Sequence, residues 1–378
     1  MKRNWIYLFI LSLTLTGFGF SQERPRVREM GIEIGVLKPG PLNAITDVTG
    51  VKVGHVTLIQ GQNIRTGVTA ILPHSGNIFQ KKVPAAVYVA NGFGKLTGST
   101  QIDELGQMET PVILTNTLSV PTAGDALIDY TLSVPKNQKV RSINPVVGET
   151  NDGYLNDIQG RHVKKSDVIK AVKNAHTGPF EEGAVGAGTG TICFGFKGGI
   201  GTSSRKLSSS KGGYTVGVLV QTNFGGVLRI NGMPAGIKLG QHKMTGEREK
   251  YPAGSCMMVV ATDAPLGSRN LKRLAKRALL GIPRTGGFYS NSSGDYAIAF
   301  STAKDLRITY RASSFTRKIE ILRNRKTSPL FLAAAEAAEE AILNSMFKAR
   351  TMEGKNGNTI QALPLEKIKK LMKGELDS

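Results

Sequence analysis

The sequence predicts an α+β protein built from packed layers, not a doubly wound parallel sheet. Strand-like runs of apolar and β-branched residues recur along the whole chain, while only a few segments have helical periodicity. Strands and helices seldom alternate in the regular order that parallel βαβ units require. The 378 residues, 40% of them apolar, are enough for a large core in one layered domain, and 45 glycines indicate many turns.

The first third of the chain is predicted to be mostly strand. Residues 45–56 alternate small turn residues with β-branched ones, which is typical of strands and tight turns at the start of a sheet. Apolar runs predict further buried strands at 69–72, 83–90 and 112–115. A helix is predicted at 122–132.

A polar, acid-rich loop and a short helix are predicted next. The loop spans 145–157, and it is either a turn held by side-chain hydrogen bonds or a pocket that receives an ammonium group. The helix is predicted over 166–176, with Ser166 as its N-cap, Asp167 in its first turn and Gly178-Pro179 as its end.

The next three segments lie between residues 203 and 254. Residues 203–213 are predicted to be a flexible loop or the end of a hairpin, and 214–222 a strand that presents Asn223 at its end. An amide in that place is either a turn residue or an oxyanion donor. Residues 236–254 lack clear periodicity and are predicted to be exposed.

From Ser255 onward the pattern is strand, helix, strand, helix. A strand is predicted from 255, and a helix capped by Ser268 follows, with leucines and alanines on one face. The turn 290–295 leads into a strand at 296–302. A long helix is predicted at 330–347, whose alanines suit close packing on a sheet.

The N-terminus has the pattern of a secretory signal. Lys2 and Arg3 precede an apolar stretch, and a small-residue cleavage pattern ends at Ser21. We therefore predict a signal peptide at 1–21 and an exported protein, periplasmic or secreted, with no membrane association after signal removal. A retained anchor is the alternative.

The net charge and the two cysteines of the chain limit the kinds of function that the sequence supports. The formal net charge of +21 could favour anionic surfaces or nucleic acid, but the basic residues are dispersed and lack interleaved aromatics. A solvated basic face without nucleic-acid binding is predicted. Cys193 and Cys256 lie in apolar strand-like contexts, where core cysteines are expected, although two thiols could also pair.

The common catalytic motifs are absent from this chain. No G-x-S-x-G elbow, HExxH or CxxC occurs, and the glycines of 186–191 do not complete a dinucleotide fingerprint. An enzyme with this sequence would need a base other than histidine or a metal-bound water.

The junction between Gly254 and Ser255 offers such a base. A polar, lysine-rich run ends at a flexible glycine, and an apolar strand pattern begins at once with a hydroxyl residue. If the chain cut itself here, Ser255 would carry both a hydroxyl nucleophile and a free α-amine with a pKa of roughly 7.7–8.0. From these residues alone, a simple loop end before a strand is the commoner interpretation.

Several ordered motifs resemble one family across essentially the whole chain after the signal. The chain is similar to the L-aminopeptidase/D-alanyl-esterase-amidase family, which includes the β-peptidyl aminopeptidases. The motifs are Ile45-Thr46-Asp47-Val48 with Val53-Gly54-His55, Glu149-Thr150-Asn151-Asp152-Gly153, Gln221-Thr222-Asn223-Phe224-Gly225, Gly254-Ser255-Cys256-Met257-Met258, and Gly294-Asp295.

The resemblance implies a four-layer αββα sandwich, like N-terminal-nucleophile (Ntn) hydrolases but with different strand connectivity. It implies self-cleavage between Gly254 and Ser255, giving an α chain of residues 22–254 and a β chain of residues 255–378 of one domain. Relatives commonly assemble as four αβ units, so an (αβ)4 homo-oligomer is expected. No cofactor and no metal are implied.

The resemblance also implies roles for individual residues. Ser255 corresponds to the nucleophile, Asn223 to the oxyanion-hole amide, and Ser293 to a second serine that hydrogen-bonds to the nucleophile. Asp295 falls where the family often has a glutamate supporting that serine, and the shorter side chain leaves its reach open. Whether the Ser255 amine or the Ser293–Asp295 pair accepts the proton stays open at this level.

Three further residues are expected to bind substrate. Tyr154 corresponds to a pocket tyrosine, while Glu149, with Asp152 as competitor, is expected to meet the substrate amine. The predicted function is an aminopeptidase or amidase that releases N-terminal residues from short peptides, amides or esters through an acyl-enzyme on Ser255. The alternatives are an acyltransferase like the ornithine acetyltransferases and a non-catalytic, exported basic binding protein.

Overall fold

A computed structural model describes residues 23–241 and 254–375. The predicted signal at 1–21 lies outside these ranges, and so do residues 242–253 of the segment that was expected to be exposed. All statements about the structure refer to the described residues.

The smaller of the two main sheets has five strands in the order β1-β2-β6-β7-β4. Its neighbours run antiparallel except for the parallel pair β6 and β7. The strands are β1 (Lys52–Gln60), β2 (Ile64–Leu72), β4 (Leu96–Thr97), β6 (Val112–Asn116) and β7 (Val146–Thr150).

The larger sheet has seven strands and carries the junction at Ser255. Its order is β10-β11-β12-β13-β3-β14, with β5 paired to β3. Strands β12 and β13 are parallel, and the other pairs are antiparallel. The strands are β3 (Lys81–Gly92), β5 (Gln107–Met108), β10 (Ile200–Lys206), β11 (Thr215–Asn223), β12 (Ser255–Thr262), β13 (Gly294–Ser301) and β14 (Ile308–Thr309).

Two small hairpins, eight α-helices and ten short 3-10 helices complete the described elements. The hairpins pair β8 (Ile192–Cys193) with β9 (Phe196–Lys197) and β15 (Met352–Glu353) with β16 (Thr359–Ile360). The helices are α1 (Ser99–Leu105), α2 (Val120–Ser133), α3 (Lys165–Lys173), α4 (Ala235–Lys238), α5 (Ser268–Ala278), α6 (Gly281–Arg284), α7 (Ser328–Phe347) and α8 (Leu365–Met372).

These elements form the expected four layers, with the two sheets face to face and helices outside each. Side chains alternate along β12: Met257 and Val259 enter the core between the sheets, while Met258 and Val260 face α5 and α7. Helices α2 and α3 cover the other sheet. The prediction of an αββα sandwich is confirmed.

Close packing of α7 on the larger sheet depends on small residues. The alanines of α7 are buried, and a Cβ on Gly201 of β10 would lie 2.0 Å from the carbonyl oxygen of Ala341. That distance is far below any real contact, so position 201 must be glycine for the helix to lie this close to the strand.

The structure corrects three of the local predictions. Residues 203–206 belong to strand β10 rather than to a loop, and 203–205 are buried. Residues 146–150 form strand β7 rather than part of the predicted loop at 145–157. Ser166 is not an N-cap: the helix begins at Lys165, and the Asp167 carboxylate accepts the Lys164 N–H at 2.8 Å.

A buried ionic network explains why the polar strand β10 can lie inside the protein. Arg205 is fully buried, and its Nη2 donates to Glu340 Oε2 at 2.7 Å while its Nε donates to Glu336 Oε2 at 3.2 Å. Its other donors meet the Ser203 hydroxyl and the Ser204 carbonyl. A buried charge is tolerated when it is paired and hydrogen-bonded in this way.

We expect replacement of Arg205 to be strongly destabilising. Arg205→Met preserves much of the volume but leaves Glu336 buried without a cationic partner and Glu340 paired with Arg28 alone, which should cost about 3–5 kcal/mol. Urea unfolding measures this loss. Lys272→Met is the control, because its ion pair with Asp103 is half exposed. Equal shifts for the two variants would contradict the prediction.

Candidate active site

Three strand ends bring the predicted catalytic residues to one edge of the larger sheet. Asn223 ends β11, Ser255 begins β12 and Gly294 begins β13. In the register of the sheet, Ser255 lies directly opposite Asn223 on one side and Gly294 on the other. Residues far apart in sequence therefore meet around Ser255, which is 7% exposed.

The peptide group before Ser255 is held by a backbone donor that the sequence did not reveal. The Gly294 N–H lies 3.2 Å from the Gly254 carbonyl oxygen and 3.4 Å from Ser255 Oγ. It is therefore within reach of both the Gly254 carbonyl oxygen and the Ser255 hydroxyl. The sequence cannot indicate this donor, because every residue except proline has a backbone N–H and no residue type marks the one that is used.

Glycine is required at position 254 for steric reasons. A Cβ there would lie 2.4 Å from Phe224 Cα and 2.7 Å from the Asn223 carbonyl oxygen. The junction can approach the end of β11 only without a side chain. Packing therefore requires glycine at this position. A glycine also leaves the Gly254 carbonyl free of any side chain that could hinder access to it.

The side-chain amide of Asn223 has a fixed orientation. Its Oδ1 accepts the Ile192 N–H from the β8–β9 hairpin at 3.0 Å. Because the oxygen is occupied in this way, the Nδ2 group is the end of the amide that can donate to a reacting carbonyl. Asn223 is 5% exposed, so such a donation would occur away from bulk water.

Ser293 and Asp295 reach the same edge but do not form the expected hydrogen bonds. Within the described residues, neither Ser293 Oγ nor either carboxylate oxygen of Asp295 has a partner at good hydrogen-bond geometry, although the Ser293 hydroxyl is near enough to Asp295 to lower the pKa of its carboxyl. Asp295 pairs in register with Cys256, whose side chain lies in the core on the helix side of the sheet. The Asn91 amide holds the turn before them through the Ser290 carbonyl at 3.0 Å.

Burial determines the acidity of Asp295. Desolvation raises the pKa of its carboxyl from 3.8 to about 6, and the Ser293 hydroxyl opposes this rise. Between these two pH values the folded protein retains a proton that the unfolded chain has released. The contribution of Asp295 to stability therefore falls as the pH rises through this window.

We accordingly expect Asp295→Asn to stabilise the protein at higher pH. Relative to wild type, the free energy of unfolding should increase at about pH 8, where the buried carboxylate is charged, and change little at about pH 4. Urea unfolding at both pH values tests this. Asp103→Asn, at an exposed position, is the control. An equal gain for Asp295→Asn at both pH values would show that charge burial is not the cause.

The three expected substrate-binding residues occupy different environments. Glu149 on β7 is 3% exposed and accepts the Lys95 N–H at 3.1 Å as well as the Thr117 hydroxyl. Tyr154 packs on a small cluster that includes Ile192, the residue that holds Asn223. Tyr154 therefore shares a cluster with Ile192, and Glu149 is engaged by the loop that follows β3.

Asp152 is as deeply buried as Glu149 and lies beside a buried lysine. Its Oδ1 accepts the Asn156 amide at 2.9 Å, and burial raises its carboxyl pKa to about 6. It is 2% exposed and interacts electrostatically with the buried Lys197. Both carboxylates are therefore buried to a similar extent, and the choice between Glu149 and Asp152 stays a prediction.

The described histidines serve other purposes. His55 Nδ1 is 2.9 Å from the Thr69 hydroxyl, and burial lowers the pKa of His55 to about 4. His74 accepts the Gly76 N–H and contacts the Lys81 carbonyl. Over residues 23–241 and 254–375, no histidine is hydrogen-bonded to Ser255, and no three metal-ligating side chains cluster. Cys193 and Cys256 are buried and free.

Solved structures give the class to which this arrangement belongs. The protein is similar to the L-aminopeptidase D-Ala-esterase/amidase of Ochrobactrum anthropi, described as a prototype for the serine aminopeptidases and a new variant of the Ntn hydrolase fold. The TM-score is 0.84, with 40% identity, covering 94% of this chain and 100% of that one. A β-aminopeptidase from Burkholderia sp. matches with a TM-score of 0.86 and 41% identity, covering 94% and 100%. Fold and sequence together define a serine aminopeptidase with an Ntn-type fold.

Sequence comparisons identify the family. The profile of peptidase family S58 matches residues 43–360. The β-peptidyl aminopeptidase BapA of Sphingosinicella microcystinivorans is 42% identical over 374 residues, 93% of each chain. BapA of Sphingosinicella xenopeptidilytica is 39% identical over 369 residues, 92% of this chain and 91% of that one.

The chain belongs to peptidase family S58. The resemblance noted from the motifs, the fold class and the peptidase function are therefore confirmed. These findings favour a peptidase over the acyltransferase and the binding protein. In the described part of the chain, no helix is long and apolar enough to span a membrane.

Proposed function

We propose that the chain cuts its own Gly254–Ser255 bond and then uses Ser255 as an N-terminal nucleophile. The observation that carries this proposal is the position of Ser255 between Asn223 and Gly294, with the Gly254 carbonyl already accepting the Gly294 N–H. A preorganised donor at a carbonyl favours attack, because charge develops on that oxygen in the transition state.

Maturation then proceeds in two balanced steps. Ser255 Oγ attacks the Gly254 carbonyl carbon, the C–N bond breaks, and the hydroxyl proton ends on the new α-amine, which leaves an ester. Water hydrolyses the ester, so Gly254 ends as a carboxylate and Ser255 regains its hydroxyl. The products are residues 22–254 and 255–378, still joined through the Arg205 contacts with Glu336 and Glu340.

Turnover repeats the same chemistry on a substrate. Ser255 attacks the carbonyl of the first residue, Asn223 donates to the developing oxyanion, and the leaving amine departs before water releases the acyl group. The α-amine of Ser255 is the proposed base, since it would lie on the same residue as the nucleophile and has an ordinary pKa of roughly 7.7–8.0. Glu149 is proposed to receive the substrate ammonium, beside Tyr154.

The proposed substrates are short peptides and amides that begin with a β-amino acid. Support comes from the names of the relatives, two β-peptidyl aminopeptidases and a β-aminopeptidase. A second candidate is cleavage of L-residues or D-alanyl esters and amides, as named for the Ochrobactrum enzyme. Export through the signal at 1–21 and assembly of four αβ units are part of the same proposal.

A panel of p-nitroanilides tests substrate choice. β-Alanyl, L-alanyl and D-alanyl p-nitroanilide differ only in the first residue, and kcat/KM should be highest for the β-alanyl compound. The Ser255→Ala protein is the control for background hydrolysis. Preference for the L- or D-alanyl compound would support the second candidate, and hydrolysis of none would contradict both.

A further inference from the structure

Lys197 is a buried lysine that the proposed mechanism does not yet use. It lies in β9, is fully buried, and its Nζ donates to three backbone carbonyls: Thr191 at 2.8 Å, Gly198 at 2.9 Å and Gly188 at 3.0 Å. Three carbonyl acceptors match the three N–H donors of an ammonium group. The arrangement is therefore that of the charged form.

One of these contacts leads directly to the oxyanion amide. The Thr191 carbonyl and the Ile192 N–H belong to the same peptide group. Lys197 donates to the oxygen of that group, and its N–H donates to Asn223 Oδ1 at 3.0 Å. A continuous chain of hydrogen bonds thus runs from the ammonium, through one peptide group and the Asn223 amide, towards the carbonyl attacked by Ser255.

We propose that Lys197 is a positioning residue that orients and polarises the Asn223 amide, so that Asn223 donates more strongly to the oxyanion. This inference rests on the proposed function of Asn223. Hydrogen bonds in a chain polarise one another, and the effect is largest in a water-excluded interior. A cation at the start of the chain withdraws electron density in the sense that makes the final Nδ2–H a better donor.

The β8–β9 hairpin is built to hold this peptide group in place. Its turn consists of Phe194 and Gly195, both with positive φ, as a two-residue hairpin requires. The Phe194 N–H donates to the Phe224 carbonyl at 2.8 Å, next to Asn223. The hairpin is therefore attached to the end of β11 at two points, and Lys197 fixes its base.

The pKa of Lys197 depends on its burial and on the side chains beside it. Burial lowers the pKa of Lys197 to about 7, and the nearby Asp152 and Cys193 oppose this decrease. The sequence suggested Asp152 as a competitor of Glu149 for the substrate amine. Its carboxylate would instead raise the pKa of Lys197. This gives the buried carboxylate a purpose that its contacts with Asn156 do not explain.

A double-mutant cycle tests the proposal in the full chain. Lys197→Met, Asn223→Ala and the double variant are compared with wild type for processing rate and for kcat and KM on the preferred p-nitroanilide. Lys197→Met should lower kcat by about 10–100-fold with little change in KM, less than the loss of the donor itself. In the Asn223→Ala background, the same substitution should change kcat by less than about twofold, because the two residues act as a unit.

Lys82→Met is the matched control, because Lys82 is also buried and ion-paired, with Glu109, but has no contact with the hairpin. It should lower stability and leave kcat unchanged. Multiplicative losses in the cycle, or full kcat in Lys197→Met, would overturn the proposal. If Asn223→Ala itself retained full kcat, the proposed role of Asn223 would fail instead, so the two failures are distinguishable.

A backbone substitution keeps the test valid should Lys197→Met not fold. Incorporating the α-hydroxy acid analogue of isoleucine at position 192 replaces the N–H with an ester oxygen and leaves every side chain in place. We expect kcat to fall by about tenfold or more with KM retained, since Asn223 loses its orienting donor. Unchanged kcat in the ester protein would refute the link between Lys197 and Asn223.

Discussion

Ser255→Ala is expected to yield a single unbroken chain with no hydrolytic activity. The substitution removes the only atom proposed to attack both the Gly254 carbonyl and the substrate, so both reactions fail together. Loss of a nucleophile typically lowers kcat by roughly 10⁶. Denaturing electrophoresis should show two fragments for wild type, ending and beginning at residues 254 and 255, and one band for the variant.

Ser301→Ala is the matched control for this experiment. Ser301 is also a buried serine and ends the neighbouring strand β13, where its hydroxyl donates to the Ala264 carbonyl at 2.7 Å. This variant should still be cut and should still hydrolyse substrate. Intact-mass measurement on freshly purified, active wild type gives the decisive result: a single unbroken polypeptide would rule out the proposed machinery.

Asn223→Asp is expected to lower kcat by about 10²–10³ with a small effect on KM. Aspartate is nearly isosteric and can still accept the Ile192 N–H, but it has no N–H₂ group to donate to the oxyanion. Steady-state kinetics across a range of substrate concentrations separate kcat from KM, and the rate of processing should fall as well.

A neighbouring amide provides the control for Asn223. Gln221 lies two residues earlier on β11, is fully buried, and donates to the Thr115 and Ala187 carbonyls between the sheets. Gln221→Leu should therefore reduce the free energy of unfolding without a selective loss of kcat. If Asn223→Asp and Gln221→Leu affected kcat equally, general destabilisation would explain both results.

Apolar segments were the part of the fold that sequence patterns predicted best. Strands β3, β11 and β12 and helix α7 lie within a few residues of their expected bounds, because each buries a long apolar run. The polar strand β10 was missed, since Ser203, Ser204 and Arg205 are typical of loops. Distant partners make that strand stable when buried: the carboxylates of α7 pair with Arg205, and Asn43 and Asp47 accept from the two serines.

The candidate site likewise contains residues that the sequence indicated and contacts that only the structure shows. Motifs of residue types mark Ser255, Asn223 and Gly254 in the sequence, and the strand register places Asn223 opposite Ser255. The Gly294 N–H and the Lys197 contacts were not found. A backbone donor has no residue signature, and a lysine in a short strand looks like a surface residue until its partners are known.

The sequence by itself determined the layered α+β class, the family and the serine at the junction, because periodicity and motifs are local properties of the chain. The tertiary structure alone decided which polar groups are paired in the interior and which backbone N–H lies beside Ser255. Those outcomes depend on contacts between residues tens to hundreds of positions apart, and burial makes each such pairing either favourable or costly.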